Sequence, residues 1–197
     1  VFGIMYVQYR RGFGRIFRGF LSLAAGLICG IILYAILGFI LNSTPLPKII
    51  GGLVSPEFLK TVDEGKSVNQ IYAALQSLPS ETARRAFIGE VTVKFISFII
   101  VFVISFIILQ YVLKKAKFMK KIKVMRQLDG VLGGAVGLLQ GFLLLYVFFA
   151  FFAVAEPITT PKSLKAQIMN SEMTRFVYED NYIANIVSKQ EYLSSED

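Results

Sequence analysis

Three long apolar blocks constrain this chain more than any other feature. Leu21–Leu41 reads LSLAAGLICGIILYAILGFIL and carries no charge over twenty-one residues. Glu90–Leu113 reads EVTVKFISFIIVFVISFIILQYVL, with its charges, Glu90 and Lys94, confined to its start. Val131–Ala155 reads VLGGAVGLLQGFLLLYVFFAFFAVA, again uncharged, with fifteen residues drawn from Leu, Val and Phe. A helix of twenty-one residues is about 31 Å long, close to the ~30 Å hydrocarbon core of a bilayer. Leu and Phe each favour insertion by about 0.3–0.6 kcal/mol, so the blocks are more stable in lipid than in water. Overall, 55% of the 197 residues are hydrophobic and only 17% are charged, and the charges lie between the blocks. A soluble domain of this length could not hide that much apolar surface in one core.

The expected fold is therefore all-α: a polytopic transmembrane helix bundle, with spans at about 20–41, 90–113 and 131–155. The opening VFGIMYV is apolar but too short to cross. It reads as the end of an earlier span, which would make four, or as a short interfacial entry. A secretory signal is not expected, because the usual order of basic, apolar and small residues is reversed. Residues 1–155 are read as the membrane bundle and 156–197 as an extracytoplasmic amphipathic tail.

Charge supplies an orientation. Arg10, Arg11, Arg15 and Arg18 precede the first full span with no acid among them. Between the second and third spans, Lys114, Lys115, Lys117, Lys120, Lys121, Lys123 and Arg126 face Asp129 alone. The segment 42–89 is nearly balanced in charge, and the tail is net acidic. Lys and Arg are retained on the cytoplasmic side. Segments 8–19 and 114–129 are thus expected in the cytoplasm, and 42–89 and 156–197 outside. The basic run 114–126 is expected to contact anionic lipid headgroups. Nucleic acid is not expected as a partner, since no soluble domain or interleaved aromatics accompany the lysines.

Glycine has a pattern of its own. DGVLGGAVGLLQGF, Asp129–Phe142, holds five glycines in fourteen residues. Glycine costs a helix about 1 kcal/mol relative to alanine in water. In lipid, where no hydrophobic drive brings helices together, small residues permit the close packing that does. Gly133, Gly137 and Gly141 share one helix face, and Gly130 and Gly134 form an adjacent pair. Ser22, Gly26 and Gly30 make a matching row on the first span. Both rows fall in the same half of the bilayer, so they could pack on each other or form a groove for another copy. Self-association, or association with another membrane protein, is the expected use.

Asp129 stands just before the last apolar block. It is read as an N-cap of a helix starting at Gly130, as an ion-pair partner of Arg11, Arg15 or Arg18, or as both. Ser97, Ser105, Gln110 and Gln140 are the polar groups within the spans. No ionisable group stands at the centre of any span, which argues against a proton- or ion-coupled pump. Cys29 is the single cysteine and suits a small packing role.

The segments outside the spans carry helix signals. Ser55-Pro56-Glu57 reads as a cap followed by proline at the first helical position. VNQIYAAL is helix-like, and Pro79-Ser80-Glu81 starts a helix that can run into the second span. In the tail, Leu164, Ile168, Met173, Phe176, Val177, Ile183, Ile186 and Val187 recur at helical spacing. Short amphipathic helices lying on the leaflet or on the bundle are expected.

Histidine is absent. There is no CxxC and no phosphate-binding GxxxxGK[ST]. The chain is read as non-enzymatic, with no catalytic residues, cofactor or metal.

The stretch RRGFGRIFRGFLSLAAGLICGIIL, a polar segment, a plain apolar helix, a basic loop and LDGVLGGAVGLLQGFLLLYVFF follow one another in this order. That order resembles the colicin V production protein family over roughly Tyr6 to Val154. The Gly/Arg-rich turn of that family corresponds to Arg11, Gly12, Arg15, Arg18 and Gly19. Its D-x-x-x-G-x-x-x-G entry to the last helix corresponds to Asp129, Gly133, Gly134, Gly137 and Gly141. The resemblance implies a four-helix protein of the bacterial inner membrane, with a first helix ending near Tyr6. It also implies a role in the production or export of a peptide toxin and in envelope maintenance, as a scaffold or accessory factor. A small oligomeric channel or transporter is the alternative.

Overall fold

The computed structural model describes residues 13–63, 70–115, 126–159, 170–179 and 181–188. Among them are eight α-helices and no strand. They are α1 Phe13–Asn42, α2 Leu46–Gly52, α3 Pro56–Asp63, α4 Gln70–Gln76, α5 Glu81–Lys115, α6 Arg126–Thr159, α7 Glu172–Glu179 and α8 Tyr182–Ser188. Three of these, α1, α5 and α6, are long and apolar enough to cross a membrane. Val1–Tyr9 and Leu164–Ile168, which enter the expectations for an earlier span and for the tail, lie outside the described residues.

Each long helix outruns its apolar block. α1 begins at Phe13, so Arg15 and Arg18 stand on the helix and not in a turn before it. The expected early start of the second span is found: α5 runs unbroken from Glu81 through 35 residues. Ser80 caps it, its Oγ accepting from Ala83 N at 3.2 Å. Glu81 in its first turn and Lys114 and Lys115 in its last turn both complement the helix dipole. α6 begins at Arg126 and passes through Pro157 near its other end. α1 stops where NSTP supplies the stop: Ser43 Oγ bonds back to Phe39 O at 3.1 Å, Thr44 N to Leu41 O, and Pro45 follows. The end carbonyls are thus satisfied locally.

The chain divides into two compact units. The first comprises residues 1–36 and 97–148. Its interior is built from Ile16, Ser22, Leu23, Gly26, Leu27 and Gly30 on α1, Ser97, Phe98 and Phe102 on α5, and Gly133, Gly134, Gly137 and Gly141 on α6, all buried. The phenyl rings of Phe98 and Phe102 lie parallel, 6.1 Å between centroids.

The second unit comprises residues 37–96 and 149–197. Here the short helices enclose a core of their own. Val54, Phe58, Leu59, Val62, Ile71, Leu75, Tyr178, Ile183, Ala184 and Val187 are all buried. Tail helix α8 packs on α4, and α4 packs on α3. The expected Ser55 cap is present, Phe58 N donating to Ser55 Oγ at 3.1 Å. Asn181 caps α8 in the same way, its Oδ1 accepting from Ile183 N and Ala184 N. Phe87, Val91 and Phe95 of α5 and Phe149, Ala153 and Val154 of α6 are buried in the same unit, Phe95 beside Phe151 at 6.3 Å between centroids.

The long helices leave most of their apolar surface outside. Within the most apolar part of α1, α5 and α6, 28%, 17% and 28% of residues are buried. Ile28, Ile32, Ile36, Phe39 and Ile40 form a continuous exposed stripe on α1, with Phe39 77% exposed. Ile100, Ile104, Ile107 and Ile108 do so on α5. In water such stripes would drive aggregation; in lipid they are the natural outer surface.

Candidate functional site

The candidate site is the set of close helix contacts that sequence composition singled out, and it begins on α1. Ser22 donates its hydroxyl to Arg18 O at 2.9 Å, which keeps a polar group satisfied on a buried face. A Cβ placed on Gly26 would lie 3.3 Å from Phe106 N and 3.4 Å from Phe102 O. That is backbone against backbone, a contact only glycine admits without displacement. A Cβ on Gly30 would meet the Phe98 ring at 2.8 Å. The nearest neighbours of this row are therefore on α5 and not, as expected, on the glycines of α6. The physical reason is close fit: at Gly30 the Phe98 ring fills the space a side chain would take, and at Gly26 the α5 backbone does, where two glycine rows facing each other would leave a void.

On α6, Gly133, Gly134, Gly137 and Gly141 are all buried at their i, i+1, i+4 and i+8 spacing, so the small-residue face is turned inward. Gly130 lies in the helix four residues after its start, and its surroundings are outside the described ones. Asp129 needs a correction. With α6 starting at Arg126, it is the fourth residue of the helix and does not cap it. Arg126, Gln127 and Leu128 are good helix formers, so the helix extends past the apolar block.

Arg18 is half-buried. Arg11 and the side chains of Arg15, Asp129 and Arg126 lie outside the described set, as do Lys117, Lys120, Lys121 and Lys123. Lys114 and Lys115 are exposed at the end of α5, with Lys115 Nζ 4.5 Å from the centre of the Tyr111 ring. An aromatic ring and a cation side by side suit a membrane–water boundary. Cys29 is a half-buried free thiol.

Three further features were not foreseen. Gln110 of α5 and Gln140 of α6 both reach Gly19 of α1: a Cβ on that glycine would lie 3.8 Å from Gln110 Nε2 and 3.8 Å from Gln140 Oε1. Each glutamine stood out as polar, but their meeting needs the fold. Next, α2 is pressed on α5 through glycine. A Cβ on Gly51 would lie 2.5 Å from Arg85 O, and one on Gly89 would overlap the Pro47 carbonyl. Finally, a joint gathers the start of α5, the end of α6 and the short helices. Arg85 Nη1 donates to Val54 O at 2.8 Å while its Nη2 pairs with Glu81 at 2.8 Å. Ser55 N donates to Pro157 O at 3.3 Å. The Tyr178 hydroxyl donates to Glu156 Oε2, with both side chains buried. A buried carboxylate is costly without such a donor, so this bond ties α7 firmly to the end of α6.

Long exposed apolar helices, inward glycine faces and a folded helical segment beyond the spans define a helical integral membrane protein. Over residues 1–180 the chain matches the family described as Colicin V production protein. That match covers most of its length, and the chain belongs to this family. No curated protein and no solved structure matches it.

Proposed function

We propose that the chain is a non-enzymatic, multi-pass protein of the bacterial inner membrane. It acts as a helix-packing scaffold or accessory factor in toxin production or export and in envelope maintenance. The observation that carries this reading is the glycine contact between α1 and α5, where Gly26 lies directly on the backbone of Phe102 and Phe106. Such contacts hold spans together without any ligand, as an assembly platform requires. The family description supplies the link to toxin production. In this reading the basic segments 8–19 and 114–129 are cytoplasmic and touch anionic lipid, while 42–89 and 156–197 are outside. The partner is a second copy or another membrane protein.

The test is purification from native membranes in mild detergent, followed by native mass measurement. A stoichiometric secretion or envelope protein, lost in Gly137→Leu while the variant keeps its helical content, is the expected result. A monomer with no bound protein would overturn the scaffold reading.

A channel is the second reading, favoured by the meeting of Gln110 and Gln140 at Gly19 within helices long enough to span. It predicts solute or ion flux in liposomes that changes in Gln140→Leu. The scaffold reading predicts no flux in either protein.

A further inference from the structure

Segment 42–57 reads as an ordinary polar connection between spans, yet its surface is not polar. Between Asn42 and Glu57 the only charge is Lys48. Helix α2 within it has two opposite edges. Pro47 and Gly51 are buried, and the backbone there is pressed on α5 at Gly89 and Arg85. Leu46, Ile49 and Leu53 share the other edge and are exposed, Ile49 to 58% and Leu53 to 61%. The close contacts of Gly51 and Gly89 on the docked edge fix which way they face.

The level of α2 along α5 is also fixed. Gly89 lies where α5 changes character: Glu81–Lys94 holds the charges of its first turns, and the uncharged apolar run begins at Phe95. α2 therefore lies at the polar–apolar boundary. It follows α1 after the short turn Ser43–Pro45, and α1 ends with Phe39 and Ile40 exposed on its lipid-facing stripe. Leu46, Ile49 and Leu53 are the next exposed large apolar residues along the chain. Lys48, also exposed, lies on the same short helix with a stem long enough to reach headgroup phosphates.

We propose that α2 is an interfacial membrane helix, with Leu46, Ile49 and Leu53 embedded in the lipid of the leaflet at the Gly89 end, at the junction of headgroups and acyl chains. The occupant of the exposed edge is phospholipid, not water and not a protein. This goes beyond the scaffold reading and does not depend on it. It makes α2 a lipid contact held to α5 by glycine.

The chain contains no tryptophan, so single tryptophans report their surroundings without background. Leu46→Trp, Ile49→Trp and Leu53→Trp are introduced separately into the full chain, with Lys60→Trp on exposed α3 as the comparison. Each protein is reconstituted in phosphatidylcholine–phosphatidylglycerol vesicles, plain or brominated near the top of the acyl chain. The proposal expects blue-shifted emission at the three α2 positions, loss of most of that emission in brominated lipid, and little quenching by iodide. Lys60→Trp should behave oppositely. Emission from α2 that iodide quenches and bromine does not would place the edge in water and overturn the proposal. Blue-shifted emission protected from both quenchers would mean that a protein surface covers it, a second copy for instance, and would overturn it equally.

Discussion

Gly51 and Gly52 are neighbours in sequence and in one helix, and the packing demands opposite outcomes from the same substitution. At Gly51 an added methyl would stand 2.5 Å from Arg85 O and 3.0 Å from Arg85 C. Ordinary carbon–oxygen contact is near 3.3 Å, so α2 and α5 must part by somewhat under 1 Å, and the obstacle is backbone that no rotamer change relieves. Overpacking of this kind costs about 1–3 kcal/mol. The gain in helix propensity from Gly→Ala returns at most about 1 kcal/mol. The same displacement strains the 2.8 Å bond from Arg85 to Val54 O. Gly51→Ala is therefore expected to be destabilising by about 1–2 kcal/mol net. At Gly52 nothing lies within 4 Å of the added methyl, and only the propensity gain remains. Gly52→Ala should be neutral or up to about 1 kcal/mol stabilising. Thermal unfolding of the purified protein in one detergent measures both. At roughly 2–4 °C per kcal/mol for a chain of this size, the variants should separate by several degrees, with Gly51→Ala below wild type. Equal melting temperatures, or Gly52→Ala below Gly51→Ala, would refute the backbone contact between α2 and α5.

Four other substitutions test the joint between the start of α5, the end of α6 and the short helices. Arg85→Met should cost about 1.5–3 kcal/mol, since it removes a charge-assisted bond to Val54 O, whereas Glu81→Ala should stay within about 0.5 kcal/mol because its carboxylate is 63% exposed; the two are compared by thermal unfolding. Tyr178→Phe leaves the Glu156 carboxyl buried without its hydroxyl donor and should cost about 1–3 kcal/mol. Limited proteolysis of the tail should accelerate in that variant, and adding Glu156→Leu should recover part of the loss.

The spans were legible because lipid imposes a length and an unbroken apolar run, both of which a sequence displays directly. Their ends were not. Arg126–Leu128 and Glu81–Ala86 carry charged or polar residues among good helix formers, so the helices run on past the point where hydropathy alone places a boundary. Asp129 was read as a cap for this reason and is an interior residue of α6. The cap at Ser55 was legible because Ser-Pro-Glu is a local signal whose partner, Phe58 N, lies three residues on. Glu156 and Tyr178, 22 residues apart, share no local signal at all. Helix α2 was hidden by its own composition: two prolines and two glycines within nine residues suggest a turn. Yet Pro47 falls in its first turn, where the missing N–H has no helical partner to lose.

Glycine thus serves in two settings that sequence alone does not distinguish. On α1 and α6 it lies on inward faces of membrane-spanning helices, where close approach is itself the attraction. Gly51 and Gly89 instead bring a short helix against α5 where the apolar run begins. There the same close approach fixes an orientation: with Pro47 and Gly51 against α5, the larger Leu46, Ile49 and Leu53 are left facing out. Spacing identified the first group because a GxxxG row repeats along one helix. The second group is one residue on each of two helices separated by 38 positions, and only the fold joins them. A glycine outside any repeat, at the point where charge gives way to an apolar run, is consequently as strong a marker of helix contact in this protein as the rows within the spans.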